Sequence, residues 1–96
     1  MSDSIEAKSF AAELGAKMPE LDLHEKMSLF NEEDVRGFVL ENYHLDKEMV
    51  RIIYGIGEGI LRKKVLELLK IPELQSVIAR VDEKIGSCII IFKEDI

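Results

Sequence analysis

Cysteine, proline and positive charge are all scarce in this chain of 96 residues, and each shortage narrows what it can be. The single cysteine, Cys88, rules out a disulfide within the chain, so a reducing, cytoplasmic setting is expected. Cys88, His24 and His44 together are too few for a four-ligand zinc site of the Cys/His type. Thirteen Lys and Arg stand against nineteen Asp and Glu, a net charge of −6, which argues against a protein that coats DNA through a uniformly basic surface. No apolar run approaches the ~20 residues that cross a bilayer, so no membrane is expected among its partners. The opening Met1-Ser2-Asp3-Ser4-Ile5-Glu6 carries acids where a secretory signal has bases, and no apolar stretch follows it. Repeats and low-complexity tracts are lacking as well.

Hydrophobic residues make up 47% and charged residues 33%, the profile of one globular domain with a modest core. The charge is unevenly spread. Residues 51–70 hold five cations against two acids and form the only net-positive stretch of that length when the chain is cut at 30, 50 and 70. The glycine cluster Gly55-Ile56-Gly57-Glu58-Gly59 lies in that stretch, so a local anion site inside an acidic protein is the first idea to test.

Hydrophobic periodicity orders the rest. Ser4 to Lys17 reads either as a short amphipathic helix, with Phe10 and Leu14 four apart and Gly15 as a stop, or as an arm without fixed structure. Leu21-Asp22-Leu23-His24 alternates after Pro19 and predicts a short strand. A helix is expected to start at Asn31, a good N-cap, with Glu32, Glu33 and Asp34 in its first turn and Val35, Phe38, Val39 and Tyr43 along its apolar stripe. Met49 to Tyr54 is a β-branched strand. Ile60 to Lys70 predicts a second helix, ended by Pro72. Ser76 to Val81, with Val77, Ala79 and Val81 on one face, then makes a hairpin with the continuously apolar Cys88 to Phe92 through a turn at Asp82 to Gly86. The order β-α-β-α-β-β is that of an α/β two-layer sandwich with a four-stranded mixed sheet. The arm covers residues 1–18 and the domain 19–96.

In that topology the first two strands run parallel, joined by a right-handed crossover. Their C-terminal ends, carrying Asp22 and His24 on one and the glycines on the other, then share one sheet edge, where open α/β sheets bind ligands. Glycines let backbone N–H groups turn toward an anion, and a helix N-terminus favours negative charge. Arg62 follows in the first turn, suited to bidentate phosphate contact, with Lys63 and Lys64 behind it. His24 is placed for proton transfer. Nucleotide fingerprints fail: both the dinucleotide motif and the P-loop need glycine at position 60, which is Ile60, so no nucleotide cofactor is expected.

The segments Leu21-Asp22-Leu23-His24 and Ile52-Ile53-Tyr54-Gly55-Ile56-Gly57-Glu58-Gly59-Ile60-Leu61-Arg62, with the closing apolar strand, resemble the small MutS-related (Smr) domain family over about residues 19–94. That family's pattern is L-D-L-H-G, a later H-G-x-G or T-G-x-G loop leading into L-R, and a terminal strand. The resemblance implies a fold similar to the C-terminal domain of a bacterial translation initiation factor, binding of DNA or RNA, and in several members metal-assisted nicking or cleavage, hence Mg2+ or Mn2+ and a place in DNA repair or recombination. Carried over by position, Asp22 and His24 are the catalytic candidates near the scissile phosphate. Gly55, Gly57 and Gly59 would form the phosphate cradle, and Arg62 and Lys63 the basic contacts. Glu25 stands where the family has glycine, Tyr54 where many members have histidine, and Ile56 where a base is frequent.

Each of these residues also has a plainer reading. Asp22 could bond nearby backbone, His24 could hold a carbonyl, and the glycines could serve a tight turn alone. Lys63 and Lys64 could be a solvated helix face. Tyr54 is expected to be half buried, with stacking on a base as its other reading, and Cys88 to sit in the core. A divalent ion held by Asp22 and Glu25 is a further option. Glu25 and Ile56 both lower the expected phosphate affinity. Two functions therefore stand side by side: a nucleic-acid-binding endonuclease, and a catalytically inactive binding module with a protein partner.

Overall fold

The computed structural model describes residues 2–13, 15, 17–24 and 30–94. Eight elements follow in order: α1 (Ser2–Glu13), β1 (Glu20–Asp22), α2 (Glu32–His44), β2 (Met49–Ile53), α3 (Ile60–Leu68), α4 (Pro72–Gln75), β3 (Ile78–Lys84) and β4 (Ser87–Phe92). The strands form one mixed sheet in the order β1-β2-β4-β3. The expected parallel pair is present, with Leu21 opposite Ile52 and Asp22 opposite Ile53. The strands β2–β4 and β4–β3 pair antiparallel.

Helix α2 begins where its sequence predicts. The Asn31 side chain accepts from the Glu33 N–H at 2.9 Å, and three acids follow in the first turn, where the helix dipole favours them. Its buried Val35 and Val39 join Val50, Ile52, Leu61, Val65, Leu69, Cys88, Ile90 and Phe92 in the main core. Asn42, also buried, donates to the Phe38 carbonyl at 2.8 Å, which satisfies a polar group inside that layer.

β4 is buried along its whole length. One face of it, Cys88, Ile90 and Phe92, meets the layer of α2, α3 and α4. The other, Ile89 and Ile91, is covered by Ile5, Met18 and Met49. That two-sided cover explains a continuously apolar strand in a mixed sheet. Helix α1 therefore adds cover on the far side of the sandwich. Its attachment is largely polar: Ser9 bonds Asp82, Glu6 meets Arg80 at 2.8 Å, and Lys8 meets Glu94 at 3.3 Å. Phe10, one of the two apolar residues on which the short amphipathic helix is read, is 61% exposed, because the helix docks through Ile5 and Ser9. Its companion Leu14 lies outside the described residues.

Two further expectations need correction. The hairpin turn is the pair Ile85-Gly86, not Asp82 to Gly86; β3 runs on through Lys84, which pairs with Ser87. Strand pairing outweighs the turn-like composition of Asp-Glu-Lys there, and Gly86 supplies the left-handed φ of 76° that the short connection needs. A register shift between Ile78 and Arg80 also breaks the alternation, so that Ile78 and Val81 both meet the helix layer. Pro72 ends α3 as expected and also opens α4, whose Leu74 is fully buried.

Candidate nucleic-acid interface

β1 is three residues long, yet its neighbour pairing extends one step further, with the Leu23 N–H donating to the Ile53 carbonyl at 2.7 Å. That bond carries His24 to the level of the loop leaving β2. There His24 and Gly55 meet. A Cβ on Gly55 would stand 2.9 Å from the Cβ of His24, and Gly55 has φ of 81°, so both space and backbone demand glycine. The predicted convergence of imidazole and glycine loop on one edge is thus present. His24, Tyr54, Gly55, Gly57, Gly59 and Arg62 all line one cleft of about 320 Å³, with Ile56, Glu58, Ile60 and Leu61.

Asp22 and His24 form a pair. The Asp22 Oδ1 accepts from the His24 backbone N–H at 3.1 Å and also bonds the ring Nδ1. A carboxylate on Nδ1 makes that nitrogen the proton carrier and puts the lone pair on Nε2. The side chain of His24 is about half exposed at 47%, which leaves the ring in reach of a ligand.

The glycines divide the labour unequally. The N–H groups of both Tyr54 and Gly55 donate to the Gly86 carbonyl, at 3.0 and 2.9 Å. The amide of Gly55 is therefore committed to the hairpin, and its role is the close approach to His24. Among the described residues no backbone carbonyl accepts from the amides of Gly57, Glu58 or Gly59. Gly59, with φ of 81°, caps α3 and accepts from the Lys63 N–H at 3.0 Å. The amides of Ile60 and Leu61 in the first turn lie outside the helical ladder. Lys63 is exposed on α3 but does not line the cleft. Lys64 lies over the Phe30 ring at 5.8 Å instead.

Tyr54 is more deeply buried than expected, and its hydroxyl donates to the Ser87 carbonyl at 2.8 Å. Burial pushes its phenol up from the ordinary value, with Cys88 and Glu83 adding to the effect. Base stacking on this ring is excluded by its position. Glu83 is the residue that sequence reasoning missed. Once β3 reaches Lys84, Glu83 faces Arg62 and takes its guanidinium in an ion pair, which raises the arginine's pKa further. The strand-length signal was the only one that could have placed it.

For a divalent ion the described residues offer Asp22 and His24, already bonded to each other, and no group of three His, Cys, Asp or Glu that could hold a metal forms among them. Glu25, the other proposed ligand, lies outside the described residues. No helix among the described residues is long and apolar enough to cross a membrane.

A mixed four-stranded sheet that delivers an acid–imidazole pair and a glycine turn to one rim is an α/β domain of the open-sheet kind. The sequence matches the family profile of the Smr domain over residues 21–88. The chain belongs to the Smr domain family, which is associated with nucleic-acid binding and nicking. Among solved structures, the crystal structure of the Smr domain of Thermus thermophilus MutS2 is similar in fold, with a TM-score of 0.61 and 17% identity, over 80% of this chain and 100% of that one. No curated protein matches the sequence. Helix α1 precedes the family match.

Proposed function

We propose that this chain binds nucleic acid along the rim joining His24 to the glycine loop and nicks the phosphodiester backbone there. The contact of His24 with Gly55 carries the reading, because it brings a proton-transfer group beside amides suited to an anion. The amides of Gly57, Glu58 and Gly59, with Arg62, take the phosphate oxygens. Water attacks phosphorus and its proton passes to the Nε2 lone pair of His24, while the bond to the leaving sugar oxygen breaks and that oxygen takes a proton from solvent. Asp22 steadies the imidazolium in between. The amides and the guanidinium stabilise the charge that builds on the phosphoryl oxygens.

A nicking assay on supercoiled plasmid, run with and without Mg2+ or Mn2+, is the test. Nicking by wild type that falls by two orders of magnitude or more in His24→Ala is expected from the usual contribution of general acid–base catalysis. Absence of nicking, or equal nicking by the variant, overturns the catalytic claim.

The Arg62–Glu83 pair favours a second reading, a binding module without catalysis. A cleft whose cation is already neutralised holds phosphate weakly. That reading gives strongly salt-dependent binding in an electrophoretic shift series and no cleavage product.

A further inference from the structure

β3 is an edge of the sheet, with β4 as its single neighbour in the order β1-β2-β4-β3. Which of its backbone groups point outward follows from the pairing. The Phe92 N–H donates to the Glu48 carbonyl on the β2 side, and the Lys93 N–H donates to the Val77 carbonyl on the β3 side. Even positions of β4 thus bond β2 and odd positions bond β3. Lys84, Asp82 and Arg80, opposite Ser87, Ile89 and Ile91, therefore turn their backbone groups inward. Those of Val81 and Glu83 point away from the sheet, and no backbone group among the described residues bonds them. Helix α1 overhangs the same edge. Its Ile5 sits on β4, while Glu6 and Ser9 reach Arg80 and Asp82 of β3, so the flank bearing Glu6 is the outer one. Phe10 lies one turn on from Glu6 along that flank and is largely exposed. An open edge is a template for pairing, and charges usually blunt it. Here the charges come in the order Arg80-Val81-Asp82, which is its own antiparallel complement.

We propose that β3 pairs antiparallel with β3 of a second copy of this chain, Val81 facing the partner's Val81 on a two-fold axis, so that the four-stranded sheet runs on into the partner's. This interface is independent of the nucleic-acid reading. A two-fold axis sets one residue of the strand opposite itself, which leaves few registers. Centred on Val81, the outward groups of the two valines bond each other twice. Arg80 then stands opposite the partner's Asp82, in the type of pair where side chains approach most closely. Centred on Asp82, two aspartates would face each other and Arg80 would meet the partner's Lys84. Centred on Glu83 or Arg80, two like charges would again face. Like charges directly opposite destabilise a sheet, so charge selects the valine register. The helices fit it as well. Each α1 is seated between β4 and β3, and strands lie ~4.8 Å apart, which sets the two helices about 10 Å from each other across the axis. That is the ordinary packing distance of helices, and it places each Phe10 between them.

Sedimentation equilibrium of the whole chain, joined to cysteine trapping, tests the interface. Wild type is expected to move from 11.0 kDa toward twice that mass between about 10 μM and about 1 mM, the range of a small, transient interface. Phe10→Ser should weaken association by at least about fivefold. Val81→Pro should abolish it, because proline removes a donor that points outward and spares the bonds between β3 and β4, with thermal melting as the check on folding. Val81→Cys is expected to crosslink two copies under oxidised glutathione, since its thiols meet at the axis. Glu83→Cys should not, because the partner's Glu83 lies about 13 Å further along the strand. Cys88 is buried and takes no part. A wild type that stays at 11.0 kDa at about 1 mM, with no crosslink through Val81→Cys, overturns the proposal. So does association that survives Val81→Pro in folded protein, and so does equal crosslinking at both cysteines, which means another register. If Val81→Pro does not fold, the pair of cysteine variants decides alone.

Discussion

The α-carbon of Gly55 lies so close to His24 that a methyl group placed on it would reach to 2.9 Å from the histidine Cβ. The same glycine holds a φ of 81°, which an L side chain rarely adopts. Gly55→Ala is therefore expected to destabilise the fold by roughly 1–3 kcal/mol, from backbone strain and the displaced strand end together. Gly57→Ala is the control, since nothing lies within 4 Å of its Cβ position. Its stability should stay within about 0.5 kcal/mol of wild type. Chemical denaturation of the two variants measures both.

Asp22 bonds both the backbone N–H and the ring Nδ1 of His24, so it sets the ring's direction and tautomer at once. In Asp22→Asn the amide can offer its own N–H to Nδ1 and move the ring proton to Nε2, where the lone pair is needed. Nicking by this variant should fall by roughly 10²- to 10⁴-fold with little change in nucleic-acid affinity. Single-turnover cleavage beside an equilibrium binding curve separates the two quantities.

The carboxylate of Glu83 competes with any phosphate for Arg62. Glu83→Gln should strengthen nucleic-acid binding several-fold. The plot of log affinity against log salt should also steepen by about one, because one more cation then meets a phosphate. Titrations at four salt concentrations give the slope directly.

Cys88 faces the core, and burial pushes its thiol up to about 12. The thiolate is the reactive form, and it is almost absent at pH 8. Folded protein should resist iodoacetamide at that pH and take up one carbamidomethyl group when denaturant unfolds it. Intact mass before and after unfolding reads this out.

Much of this architecture is legible from residue types alone. Asn31 with its three following acids marks a helix start, because a capping side chain and a dipole act locally. The apolar run at Cys88 to Phe92 marks a strand covered on both faces. The parallel pairing of β1 with β2 follows once a helix is seen between them, and with it the meeting of His24 and the glycines. What stayed hidden depends on partners far away in the chain. Asp82-Glu83-Lys84 has the composition of a turn, yet pairing with β4 holds it extended and sets Glu83 against Arg62. Tyr54 is drawn inward by the Ser87 carbonyl, thirty-three positions away. Helix α1 docks through Ile5 and three polar pairs, so the spacing of Phe10 and Leu14 does not mark its buried face.

The carbonyl oxygen of Gly86 accepts two amides from the neighbouring loop at once. The floor of the cleft is thereby anchored to a hairpin tip that supplies none of its lining residues. Altering the length or backbone bend of that tip would re-aim the groove while every reacting group stayed the same residue, so relatives could drift apart in selectivity through a stretch of chain that a search for reactive groups would pass over.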